Sequence, residues 1–378
     1  MKKYNQPALR LLCLLSVGLA ALPLSAAPLV DRLERAARIS PLASESPLTD
    51  GQLVGDYLVT VGGSGHVLLR SPSGEIQQAQ VPVDVLLTSV HFPDANNGWA
   101  VGHDGVVLHS TDGGKTWSKQ LDGSAISALM LKWAEAEMAR LELASAAAPD
   151  DEALHTELEN VIFAFDDAKA GIESGPARPL LDVWFRDAQQ GWAVGAYGIL
   201  VHTRDGGKSW EFVSTLENPE RLHFNAVLGL RDGSLVVAGE GGRLYRSSDD
   251  GQHWTVITPM SPASLYKLQQ LSDGRLLALG FGGTLLASQD QGLSWQVIPL
   301  PVRAGLYGAA QLADGSLLLT GQGGVVLYST DGQQFKVWQA AAKAPWLGVA
   351  QVSAEQLALI GSAGLITMPL AELKEQLQ

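Results

Sequence analysis

Cysteine is nearly absent from this 378-residue chain: the single copy, Cys13, lies in the N-terminal stretch. That leaves the body of the chain with no disulfide framework and no thiol chemistry. Basic residues are also scarce, with 26 Lys and Arg against 39 Asp and Glu and a net charge of −13. Phosphate backbones and anionic membrane surfaces require a positive footprint, so nucleic acid is not an expected partner. The histidines (His66, His91, His103, His109, His155, His202, His223 and His253) nowhere adopt a short, ligand-like spacing, so no metal is expected. Glycine-rich strings such as the one beginning at Gly239 are not followed by a helix and do not read as phosphate loops. No cofactor is expected.

Long apolar runs are missing too, apart from Leu11 to Leu24. Lys2, Lys3 and Arg10 precede that run, and Ser25-Ala26-Ala27 follows it with small residues. This is the pattern of an export signal over residues 1–27, cleaved after Ala27. Without it the chain keeps 23 basic residues against 39 acidic ones, a charge of −16. The expected location is therefore outside the cytoplasm, in a Gram-negative periplasm.

The sequence does contain a repeat. VGHDGVVLHSTDGGKTW from Val101 aligns with VGAYGILVHTRDGGKSW from Val194, AGEGGRLYRSSDDGQHW from Ala238 and LGFGGTLLASQDQGLSW from Leu279. Eroded copies begin at Val61 and Thr320, and a half copy begins at Ile360. Their first glycines are Gly62, Gly102, Gly195, Gly239, Gly280, Gly321 and Gly361, so the steps are 40, 93, 44, 41, 41 and 40 residues. A period near 40 with four short strand-like segments per unit, rich in apolar residues and separated by Gly/Asp/Asn turns, predicts an all-β, seven-bladed β-propeller. The organisation expected is a signal over 1–27, an N-terminal segment closing the last blade over 28–48, blades one and two over 49–122, an insertion over 123–178, and blades three to seven over 179–378. Ala36 to Leu42 is expected to supply the outer strand of the last blade, whose own sequence stops after its third strand.

Four units carry Ser/Thr-x-Asp-x-Gly-x-x-Trp: Asp112 with Trp117, Asp205 with Trp210, Asp249 with Trp254 and Asp290 with Trp295. The carboxylate is expected to accept backbone N–H groups across a tight turn while the Trp packs beneath it. These acids read as structural clamps, not as catalysts. The repeat is of the bacterial-neuraminidase (Asp-box) type. Together with SVHFPDANNGWAVGHDG from Ser89 and DVWFRDAQQGWAVGAYG from Asp182, it resembles the photosystem II stability/assembly-factor family. The resemblance spans roughly residues 45 to 370 and is strongest in blades two and three. It implies a non-enzymatic chaperone or scaffold that holds a membrane-protein partner during assembly.

The long step departs from a plain propeller. Ile126, Leu129, Met130, Trp133 and Leu141, then Leu154, Leu158, Val161, Ile162, Phe165 and Ala168, recur at helical spacing. They predict an α-helical hairpin over about 124 to 146 and 151 to 169 between blades two and three, with Gly171 as the second stop. Its apolar stripes either seal against each other and the propeller, or form an arm whose Trp133 and Phe163 dock a partner. The turns between second and third strands are expected to ring one mouth of the channel. They offer His103, Asp104, Tyr197, Glu240, Phe281 and Gln322 as binding residues, with Arg221, Lys267, Arg303 and Trp346 from near the starts of inner strands on the same side. A sialidase-like glycoside hydrolase or glycan-binding propeller is the alternative, with Asp104, Tyr197 and Glu240 as its candidate groups. The Phe/Tyr-Arg-Ile-Pro element of sialidases is missing; Ala37-Arg38-Ile39-Ser40 and Val302-Arg303-Ala304 are the nearest strings. The reading preferred is a protein-binding module for a membrane or envelope protein.

Overall fold

The computed structural model describes residues 30–258, 260–341 and 343–377; the expected export signal over 1–27 lies outside the described residues. Among the described residues, twenty-seven strands pair antiparallel in seven sheets, six of four strands and one of three. The innermost strands are Leu48–Val54, Leu87–His91, Leu180–Phe185, Phe224–Gly229, Leu265–Gln270, Leu306–Gln311 and Trp346–Gln351. Each touches the next in order, and the seventh touches the first.

The repeat glycine explains itself locally. A Cβ on Gly102 would lie 2.2 Å from the Leu86 carbonyl oxygen, and one on Gly280 2.1 Å from that of Ser264. Only a bare Cα allows the second strand to end against the start of the first. The second strand of every sheet is otherwise buried over nearly its whole length. Core side chains therefore interleave between neighbouring sheets: Val59, Val61 and Val67 of the first pack with Val90, Ala100 and Leu108 of the second. Trp99 and Phe185 stack with ring centres 3.6 Å apart across the second and third sheets.

Two long helices, α1 (Gly123–Ala147) and α2 (Glu152–Ser174), form the hairpin and follow the second sheet in the chain. Asp122 caps α1 by accepting the Ser124 and Ala125 N–H groups, and Asp151 caps α2 in the same way. Ile126, Met130 and Ala168 join the core of the second and third sheets, so the root of the hairpin is embedded. Farther out, Ala134, Leu141 and Val161 are buried against each other. The second helix does not stop at Gly171. That residue lies against Ser127, whose Oγ would be 2.9 Å from an added Cβ, so it marks close helix contact. The stop is Gly175, at φ 84°.

The N-terminal segment also differs from expectation. The last sheet has three strands, and residues 36–42 form no strand in it. The segment runs along the first blade, with the Ala37 N–H donating to the Val81 carbonyl and the Ser40 N–H to Gln78 Oε1. Leu33 and Ala37 are buried there, which holds the segment more firmly than an edge position would. A short turn, Ala43–Glu45, then abuts the third strand of the last sheet at Gly364.

Candidate functional site

All seven innermost strands share a β-bulge at their second residue. Leu48 pairs with Gly62 but Asp50 with Val61, which leaves Thr49 extra; the same shift recurs at residues 88, 181, 225, 266, 307 and 347. A bulge puts two consecutive residues on one side of a strand. Both the second and third residues of each strand consequently border the central channel. The second residues, among them Thr88, Tyr266 and Tyr307, surround an upper cavity of about 240 Å³. Thr49, Thr88 and Asn225 also tie the blades together by donating to the carbonyls of Leu87, Leu180 and Leu265.

The third residues form a waist. Asp50, Ser89, Asp182 and Lys267 carry its polar groups, while Ala226, Gly308 and Gly348 complete it. Gly308 and Gly348 leave the space through which Lys267, on the fifth sheet, reaches Asp50 on the first at 3.4 Å. Asp50 Oδ2 also accepts the Val90 N–H at 3.1 Å and lies 2.9 Å from Ser89 Oγ. The charge of Asp50 raises the Lys267 pKa against the opposing effect of burial. Burial pushes the Asp182 carboxyl up, more than Lys267 and its hydrogen bonds pull it down. Below the waist a second cavity of about 210 Å³ contains His91, which burial, aided by Lys267, drives down to about 4. Residue-by-residue alternation hides this ring, and only the seven repeated bulges make it visible.

At the mouth the expected residues separate into two groups. Tyr197 and Glu240 meet through His223: the rings of Tyr197 and His223 are 5.0 Å apart, and Glu240 Oε2 is 2.7 Å from His223 Nδ1. Arg221 joins them from the hairpin side. It pairs with Asp167 of α2, as does Arg178 at 2.7 Å. Burial raises the Asp167 carboxyl, but the two guanidinium groups outweigh it and hold the pKa below the usual value. Arg178 lies over the Tyr197 ring and Arg221 over the Phe163 ring, at 5.9 and 5.1 Å. The side chains of His103, Asp104, Phe281, Gln322 and Arg303 make no hydrogen bond, ion pair or ring contact among the described residues. Asp104 takes φ 58° in a turn packed beneath the start of α1.

The hairpin, the third blade and the connection that follows it (residues 213–221) enclose a cleft of about 410 Å³. Trp133 is on its wall, tilted against Phe212 at 5.4 Å, so it helps to seal the hairpin onto the propeller. Phe163 is 60% exposed and Tyr197 52%. Sequence reading missed Arg178, Asp167 and His223, because nothing in their spacing shows that a helix end returns to the turn face.

In the Asp boxes, Asp112 Oδ1 accepts the Lys115 and Thr116 N–H groups, and Ser110 Oγ accepts that of Gly114. Trp117 and Trp295 are buried and donate to the carbonyls of Gly114 and Gly292. The Asp205 carboxyl falls to about 2 through its Ser209 bonds, and that of Asp249 to about 2 through His253. No group of three or more metal-ligating side chains exists among the described residues, and no described helix is long and apolar enough to cross a membrane.

Residues 70–142 and 171–263 match the family model described as photosynthesis system II assembly factor YCF48. Photosystem II assembly lipoprotein Ycf48 of Synechococcus sp. (strain CC9902) is 23% identical over 56% of this chain and 50% of its own length. The chloroplast photosystem II stability/assembly factor HCF136 of Arabidopsis thaliana is 39% identical over 18% of this chain and 16% of its own. The chain thus spans half, or less, of the length of these curated relatives. Among solved structures, YCF48 bound to a D1 peptide has a TM-score of 0.58 at 18% identity, covering 89% of this chain and 96% of that one. YCF48 from Cyanidioschyzon merolae has a TM-score of 0.56 at 14% identity over 89% and 98%. An inactive virginiamycin B lyase from Staphylococcus aureus reaches 0.63 at 10% identity over 88% and 98%, a likeness of fold alone.

Proposed function

We propose, from its similarity to photosystem II assembly factors, that the chain is an exported, non-catalytic module that binds a membrane or envelope protein during assembly. The observation that carries this reading is a cavity of about 490 Å³ at the end of the hairpin, lined by Asp167, Arg178, Tyr197 and Arg221. In that cavity two guanidinium groups, Arg178 and Arg221, share the single carboxylate of Asp167, leaving one positive charge there, while Glu137, Glu157 and Glu217 line the adjoining cleft. Exposed Phe163 and Tyr197 flank that charge with aromatic surface. Such a site suits a polypeptide segment that presents a carboxylate next to an apolar side chain. A solved YCF48 structure carries a D1 peptide, which supports a protein partner for this chain as well.

The alternative triad gains no support from the geometry. Asp104 makes no side-chain contact with Tyr197 or Glu240, and Glu240 is engaged with the side-chain ring and the N–H of His223. Affinity purification from detergent-solubilised envelopes tests the proposal. The intact chain is expected to bring down a membrane or envelope protein in stoichiometric amount, and a variant lacking residues 124–176 is expected to lose it. Retention of every partner by that variant, or turnover of a sialoside that Tyr197→Phe abolishes, would overturn the reading.

A further inference from the structure

The channel waist has one more carboxylate than it has cations. Lys267 is paired with Asp50, whereas Asp182 makes no ion pair among the described residues. Asp182 Oδ2 accepts the Val227 N–H at 2.9 Å, and its Oδ1 lies 2.6 Å from Ser89 Oγ. The same Ser89 Oγ is 2.9 Å from Asp50 Oδ2. A hydroxyl has one proton and can donate to only one of these two oxygens. The other contact is a hydrogen bond only if a carboxyl holds a proton and gives it to Ser89. Asp50 also carries the bond from Lys267 and accepts the Val90 N–H. Asp182, with no cation of its own among the described residues, is the carboxyl placed to share such a proton with Ser89.

We propose that the central channel binds a primary ammonium group, which takes the place of that proton on Asp182. The upper cavity above the waist has room for a lysine-like side chain. Tyr266 and Tyr307, with ring centres 5.5 Å apart, border it and supply aromatic surface of the kind that attracts a cation. An anion would face two carboxyl groups, and a neutral ligand would leave the proton in place. A metal ion would find most of the carboxyl oxygens already bonded to Lys267, Ser89, Val90 and Val227. The other titratable groups facing Asp182 are Asp50 and Lys267, which are paired, and His91, which is neutral near pH 7. The exchange balances as Asp182–COOH plus R–NH₃⁺ giving the Asp182 carboxylate–ammonium pair and one proton released to solvent.

Calorimetry on the whole mature protein tests this, with butylamine and Nα-acetyl-lysine methylamide as probes and Nα-acetyl-glutamine methylamide as the neutral control. Titrations in buffers of different ionisation enthalpy should show about one proton released per amine bound. The affinity should rise about tenfold per pH unit while Asp182 stays protonated in the free protein. Asp182→Asn, which imitates the protonated acid, should bind at least about tenfold more weakly. Binding of both amines assigns the site to any alkylammonium, and binding of the lysine derivative alone assigns it to a polypeptide lysine. Equal binding of the neutral control, amine binding without proton release, or no binding of either amine overturns the proposal. Should Asp182→Asn fail to fold, the proton count on the unaltered protein still decides. Partner capture at the hairpin cleft is measured separately, so failure of one idea is distinguishable from failure of the other.

Discussion

At the scale of single residues, the recurring device is a carboxyl group whose partners set its charge. The Asp-box acids accept N–H and O–H donors and are held charged, as the fall of Asp205 and Asp249 to about 2 shows. Asp182 is the opposite case, raised by burial in the channel. As the pH rises, the unfolded chain loses this proton first, near about 4, so the native state is progressively penalised until Asp182 itself ionises. Asp182→Asn escapes that penalty while keeping both hydrogen bonds. Its melting temperature relative to the unaltered protein is expected to rise from acid toward neutral pH and then level off, read by thermal melts across that range. A flat difference would remove Asp182 as the titrating group. The Asp-box acids follow the reverse sign. Asp112→Ala frees two backbone N–H groups and is expected to cost about 1 kcal/mol in urea melts at pH 7, with the difference shrinking below about pH 4.

At the scale of elements, the strands and helices follow from local rules that can be read in advance. The repeat glycines show where second strands end, because a carbonyl oxygen occupies the place of a Cβ. Gly102→Ala is expected to destabilise by about 2 to 3 kcal/mol in chemical denaturation, whereas Gly55→Ala, with open space around its Cβ, should cost only the backbone strain of its positive φ, about 1 to 2 kcal/mol. The helices announce themselves by apolar spacing; the end of α2 was misplaced because Gly171 serves helix contact and Gly175 serves termination. The waist was not legible for a related reason. Strand alternation assigns Thr49 and Asp50 to opposite faces, and only pairing partners forty residues distant from other blades' copies reveal the repeated bulge. The N-terminal segment was equally opaque, since Ala36 to Leu42 looks like a strand but its apolar contacts lie along the first blade.

At the scale of the whole molecule, the seven sheets provide a rigid frame, and two features depart from its repetition. One is the polar waist, where Lys267 spans the channel above two glycines to reach Asp50. The other is the hairpin, rooted in the core of the second and third sheets and paired through Asp167 to Arg178 and Arg221. Arg221→Glu places a like charge beside Asp167 and removes the surplus positive charge. It is expected to reduce partner recovery by at least about tenfold, with an unchanged melting profile for the propeller, as judged by pull-down beside calorimetry. The central claim, that the face formed by hairpin and turns holds a membrane or envelope protein, is tested most directly by site-specific photocrosslinking in living cells. A photoreactive residue placed at Phe163, with Leu293 on another exposed part of the chain as control, reports what touches each position. The account predicts one dominant adduct from Phe163, to an integral membrane or envelope protein, and none from Leu293. Equal adducts from both positions, or none from Phe163 while a partner still co-purifies, would contradict it.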